Sequence, residues 1–283
     1  MWAINRFLTK CYDAVFSVMV EWPGWLSLTV LAGVTGVIAL VAYKYTSNQD
    51  AIGRVRDDIK ANLLALKLFK DNLSVTFRSQ GRLFLAGVKL FLYSLQPFAV
   101  MIIPMVLLIV QMSLRYEWRP LQPGEVTVLS VKLHDGTAKD LDKVELNAPD
   151  GVIVEAGPCR VFDPAEGDEP EHNEVVWRVR PTKEGRHELQ VNVNDATVTK
   201  ELNVSNTRYA RVSPLRPGDS FWDKLLFPTE KPADDGDVIQ KVSAEFPIGE
   251  SPVFGWNVHW IITYFIASIV IALLIKPFLN VKI

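Results

Sequence analysis

The chain has 283 residues, 49% hydrophobic and 22% charged, with a formal net charge of −2. Those averages hide a segregation: residues 22–43, 90–114 and 251–275 contain no Asp, Glu, Lys or Arg. About 20 apolar residues, rising ~1.5 Å each, cross the hydrocarbon of a bilayer, which argues against a soluble single-domain enzyme; the aromatic and β-branched content elsewhere argues against intrinsic disorder.

Residues 1–21 read as an outer interfacial amphipathic helix. Trp2, Phe7, Tyr12, Val15, Phe16 and Met19 form its apolar band, with Asn5, Arg6, Lys10 and Asp13 opposite. Trp22-Pro23-Gly24-Trp25 breaks that helix and sets two indoles at headgroup level. Residues 22–44 are the first expected transmembrane helix. The run ends at Tyr43 without a small-residue cleavage site, so this span is expected to stay in the mature protein.

Residues 45–82 read as a basic amphipathic helical segment. Ser47 followed by Asp50 resembles a capping box. Ile52, Val55, Ile59, Leu63, Leu66, Leu73 and Phe77 recur at helical spacing, and Arg54, Arg56, Lys60, Lys67 and Lys70 lie largely off that stripe. Such a surface suits anionic lipid, a partner helix, a nascent apolar segment or ribosomal RNA. It lacks the aromatic interleaving of a nucleic-acid stacking platform, and no DNA partner is expected.

The second expected transmembrane helix, 83–115, holds Lys89, Ser94, Gln96, Pro97, Pro104 and Gln111 in or beside its apolar run. Gln96 and Gln111 fall about 60° apart on a helix of 3.6 residues per turn, so they share a face. Two readings are open: a wet intramembrane groove, or hydrogen bonds between helices.

Residues 120–205 read as an all-β, immunoglobulin-like sandwich. Alternating segments at 125–133, 143–146, 152–155, 175–180, 187–193 and 197–204 are separated by Asp135-Gly136, Pro149-Asp150-Gly151, Glu184-Gly185 and Asn194-Asp195. The acidic stretch 163–174 lacks calcium-loop spacing. Residues 206–250 are expected to be a linker, with a short membrane-surface helix around Phe221, Trp222, Leu225, Leu226 and Phe227. A third transmembrane helix, 251–276, begins in a belt of Trp256 and Trp260 and is followed by a tail, 277–283.

Charge orients these parts. Residues 44–89 carry nine bases against four acids, whereas 120–250 carry 15 against 25, a net −10. Short basic loops remain cytoplasmic. The expected arrangement is N-terminus out, 44–89 in, 120–250 out and C-terminus in, in a plasma (inner) membrane.

The sequence offers no nucleophile elbow, phosphate loop, dinucleotide fingerprint or zinc-protease motif. His134, His172, His187 and His259 are dispersed, and Cys11 and Cys159 read as ordinary thiols. The expectation is a non-enzyme without metal or cofactor. Asn203-Val204-Ser205 is a glycosylation triplet within the β region.

The order of outer helix, Trp-Pro-Gly-Trp, span, basic helical segment and proline-containing span resembles the YidC/Oxa superfamily of membrane protein insertases. Pro97 and Pro104 look like the spaced prolines of its second core span, and Glu117-Trp118-Arg119 looks like the acid-apolar-arginine signature that follows. The likeness covers residues 1–120 and reaches toward the third span. It departs in two places: the bacterial family has an arginine within the first core span, where this chain's nearest base is Lys44, and the β region replaces a short connection. The resemblance implies insertion without bond chemistry, with Gln96 and Gln111 lining a groove, Lys89 at its inner mouth, and Arg54, Arg56, Lys60 and Lys67 making cytoplasmic contacts. Nascent membrane segments would be its substrates and ribosomes its possible contacts. The competing expectation is a membrane scaffold whose sandwich binds an extracytoplasmic protein.

Overall fold

The computed structural model describes residues 2–69, 73–164, 171–194, 196–207, 209–233, 238–250, 252–253 and 256–279, with the backbone alone at 2–8, 73, 252–253 and 279. Lys70, half of the acidic stretch 163–174 (residues 165–170) and Lys282 therefore lie outside the described residues, as do the side chains of Trp2, Asn5, Arg6 and Phe7. The chain divides into two compact units, 1–23 with 107–257 and 24–106 with 258–283.

The first unit contains α1 (Trp2–Met19) and an antiparallel β region. Its strands are β1 (Thr127–Leu133), β2 (Val144–Asn147), β3 (Val152–Asp163), β4 (His172–Pro181), β5 (Gly185–Val193), β6 (Ala196–Val204), β7 (Leu215–Arg216) and β8 (Ile239–Ala244). Five strands pair in the order β3-β4-β1-β8-β7 and three in the order β2-β5-β6. Alternation decides which side chains go inside: along β1, every second residue from Thr127 to Leu133 is buried. Leu129, Val131, Trp177 and Val179 of one sheet share a core with Val191, Val193, Val198 and Leu202 of the other. The turns take the geometry their residues allow, with Gly136 at φ 79°, Gly151 at φ 99° and Asn194 at φ 52°.

Residues 206–250 do more than link. They contain β7, β8 and the short α5 (Phe221–Leu226), capped by Ser220. β8 pairs with β1 on one side and β7 on the other, and Val212, Ile239 and Val242 are fully buried. The stretch is thus structural, held by apolar burial that its proline content obscures.

The second unit contains α2 (Gly24–Thr46), α3 (Gln49–Leu68), most of α4 (Leu73–Tyr116) and α6 (Trp260–Leu279). The α1–α2 break falls at the Trp-Pro-Gly-Trp motif. The capping expectation needs correcting: Asn48, not Ser47, is the N-cap of α3, because its side chain accepts the Ala51 N–H at 3.0 Å. The expected helical segment 45–82 is also divided. Phe69 leaves helical geometry at φ −112° and ψ 35°, so Leu73 onward belongs to α4.

α4 runs for 44 residues straight through Pro97 and Pro104. At ~1.5 Å per residue it is about 66 Å long, over twice a ~30 Å hydrocarbon core. α2, α4 and α6 are the three helices among the described residues long and apolar enough to cross a membrane.

α2 and α6 pack through small residues. A Cβ on Gly36 would lie 2.9 Å from the backbone oxygen and Oγ of Ser268, and one on Gly33 would lie 3.1 Å from Ile271 Cδ1. Tyr264, fully buried, donates to Thr35 Oγ1 at 2.8 Å.

Candidate functional site

The polar groups that the structure gathers lie where α1 meets the last turns of α4. Thr9, Asp13 and Phe16 recur on one face of α1, as i, i+4 and i+7 positions do on any helix. Gln111 and Arg115 are likewise one turn apart on α4. The two helices meet rung by rung. Gln111 Nε2 donates to Thr9 Oγ1 at 3.1 Å, Arg115 Nη2 pairs with Asp13, and Phe16 stacks edge-on against Tyr116 with ring centres 5.7 Å apart.

Arg115 is held from every side. Its side chain is 1% exposed, Nη1 donates to the Gln111 carbonyl at 3.0 Å, and its guanidinium carbon lies 5.0 Å from the Phe16 ring centre. A buried guanidinium without such partners would be severely destabilising. The aromatic floor continues to Tyr209, which is 5.1 Å from Tyr116 and donates to the Trp22 carbonyl.

A cleft of about 300 Å³ opens beside this seam, lined by Thr9, Lys10 and Asp13 of α1, Arg186 of β5, Glu201 of β6, and Arg211. Pro228 and Thr229 complete it. Glu201 takes Arg211 Nη2 on both oxygens, at 3.0 and 3.1 Å, and Arg186 Nε at 3.2 Å. Behind it, the fully buried Lys200 of β6 pairs with Glu230 and donates to the Ser213 carbonyl. Burial pushes the Lys200 ammonium below the ordinary lysine range, against the opposing pull of Glu230. Glu230 also accepts the Glu201 N–H at 3.2 Å, which ties the 211–230 segment to β6.

The residues singled out from sequence are dispersed. Gln111 is 1% exposed in the seam, whereas Gln96 is exposed. Fifteen residues along α4 separate them by about 22 Å, and the structure does not bring them together. Lys89 is exposed, Pro97 buried and Pro104 exposed, both prolines within α4. Glu117 is half-buried. Arg119 turns to Glu125, donating through Nη1 and Nη2 at 2.8 and 2.7 Å; hydrogen bonding lifts the arginine above its ordinary range and holds the carboxyl below its own. Arg54, Lys60 and Lys67 are exposed on α3 and Arg56 half-buried, with Lys60 3.4 Å from Asp57. Cys11 and Cys159 are free and exposed. No group of three or more metal-ligating side chains occurs among the described residues.

Sequence reasoning passed over Thr9, Arg115, Lys200, Glu201, Arg211 and Glu230 as functional candidates. The available signal was Arg115 directly abutting an uncharged run of 25 residues, with Asp13 as a carboxylate on an otherwise apolar-banded helix. No protein-family model, curated protein or solved structure matches this chain.

Proposed function

We propose that the chain is a non-enzymatic membrane interaction subunit of a plasma (inner) membrane. Its α2, α4 and α6 cross the bilayer, and its immunoglobulin-like β region is displayed outside to bind an extracytoplasmic protein. The observation that carries this reading is the seam: Gln111 and Arg115, the polar groups deepest in the C-terminal half of α4, are both spent on α1. Polar side chains engaged in this way join helices. The two-sheet core supports the displayed domain, and the charge difference between 44–89 and 120–250 supports the orientation.

The insertase-like reading keeps one specific observation in its favour. Lys89 and Gln96 on α4, with Arg54, Lys60 and Lys67 on α3, are exposed toward where a nascent segment would come. Single cysteines at 96 and 111, in a chain with Cys11 and Cys159 replaced by serine, separate the two. The interaction reading expects neither to react with a membrane-impermeant maleimide in intact membranes, together with co-purification of a stable set of membrane or exported partners. Labelling at both positions, and crosslinks from them to nascent membrane proteins, would replace it with insertion through a polar groove.

A further inference from the structure

Beyond partner binding, we propose that the cleft between α1 and the β region binds a phosphate group, with Lys10, Arg186 and Arg211 supplying the donors. Residues 120–250 carry a net −10, so the pairing of its Arg186 and Arg211 with Lys10 of α1 in one cleft runs against the surrounding charge. Lys10, Arg186 and Arg211 line the cleft beside Asp13 and Glu201, and Arg115 pairs with Asp13 from behind. Three cations therefore face two carboxylates in the cleft, and the buried Arg115 further offsets the charge of Asp13.

The cations also have donors to spare. Lys10 is exposed and has no ion-pair partner among the described residues. Arg186 reaches Glu201 through Nε, and its side chain is 54% exposed. Arg211 lines the cleft with its side chain 11% exposed and gives Nη2 to Glu201. Glu201 thus holds both guanidinium groups at the cleft wall, and planar guanidinium forks suit phosphate oxygens. A cleft of about 300 Å³ sits at the small end of ligand cavities, a size suited to a headgroup.

Position favours an esterified phosphate. The seam rungs Gln111 and Arg115 occupy the last two turns of α4, just where its uncharged run ends. On the membrane reading that level is the outer headgroup layer, so the lipid source rests on that reading while the phosphate chemistry does not.

The test uses the full chain in mild detergent, with short-chain phosphatidylglycerol as the probe, native mass spectrometry as the readout and inorganic phosphate as the competitor. One lipid should be retained per chain, and Lys10→Gln with Arg186→Gln should weaken retention by about tenfold or more. Lys132→Gln with Lys139→Gln, lysines of the β region outside the cleft, should leave it unchanged. Each single variant, K10Q or R186Q, should show a smaller loss in the same direction, so a folding defect in the double variant does not decide the result. Displacement by inorganic phosphate would identify free phosphate as an equal occupant; resistance to it would identify the lipid ester. Absence of retention, or equal retention by the K10Q/R186Q chain, overturns the site. The interaction reading would survive that result if position 111 remained shielded from maleimide.

Discussion

The β region and the helices α2, α4 and α6 handle apolar side chains in opposite ways. In the β region the alternating residues of β1, β4, β5 and β8 turn inward, and Leu129, Val131, Val179, Val191 and Val242 have no exposure at all. In α6 only 6% of the most apolar stretch is buried, and Ile266, Leu273, Leu274 and Phe278 stand 57–84% exposed. An apolar surface of that extent is not a stable arrangement in water. The contrast sets a closed core in the β region beside helices long and apolar enough to cross a membrane.

The largest test of that contrast concerns charge. A charge inside the water-solvated half is tolerable only as a satisfied pair, so Glu230→Ala, which strands Lys200, should cost about 3–5 kcal/mol. Denaturant unfolding of the full chain in detergent, followed by tryptophan fluorescence, measures it; a cost below 1 kcal/mol would mean that Lys200 escapes to water. Next comes a matched pair of truncations. Leu129→Ala empties a closed core and should cost about 2–5 kcal/mol, whereas Leu273→Ala, 57% exposed, should change stability by under about 0.5 kcal/mol. Equal costs would erase the distinction between the regions.

The smallest effect is electrostatic and lies on the water side. Arg119 holds the Glu125 carboxyl below its ordinary value of 4.5. The folded chain therefore gains from the ionised carboxylate at neutral pH, and loses that gain as the pH falls below 4.5 through the folded value. Both partners are partly exposed, so Glu125→Gln should cost about 0.5–1 kcal/mol at pH 7, a cost that shrinks as the pH falls below 4.5. A pH-independent difference would assign the effect to packing.

How much of this was legible in the sequence depended on how local each signal was. The apolar helices announce themselves because a run without charge is a property of neighbouring residues. The turns at Gly136, Gly151 and Asn194 did so too, since positive φ restricts the residue type. β8 was hidden for a definite reason. Its pairing with β1 shifts register between Lys132 and Leu133, so Gln240 is an extra residue that breaks the period of two. The bulge also explains Gly218, where a Cβ would lie 1.7 Å from the Gln240 carbonyl oxygen. The seam was illegible for the opposite reason. Thr9 with Gln111, and Asp13 with Arg115, are each 102 residues apart, and no local pattern in either helix specifies the other. Pro97 and Pro104 lie inside α4 without ending it, whereas the boundary at Phe69 rests on a cap that periodicity does not encode.

The tight seam between α2 and α6 sets an order of events during synthesis. Tyr264 and Thr35 are 229 residues apart, which at roughly 5–20 residues per second is a delay of roughly ten to fifty seconds. Throughout that interval the glycine-notched face of α2 waits for α6, and whatever shields it in the meantime must be loose enough to be displaced when α6 arrives.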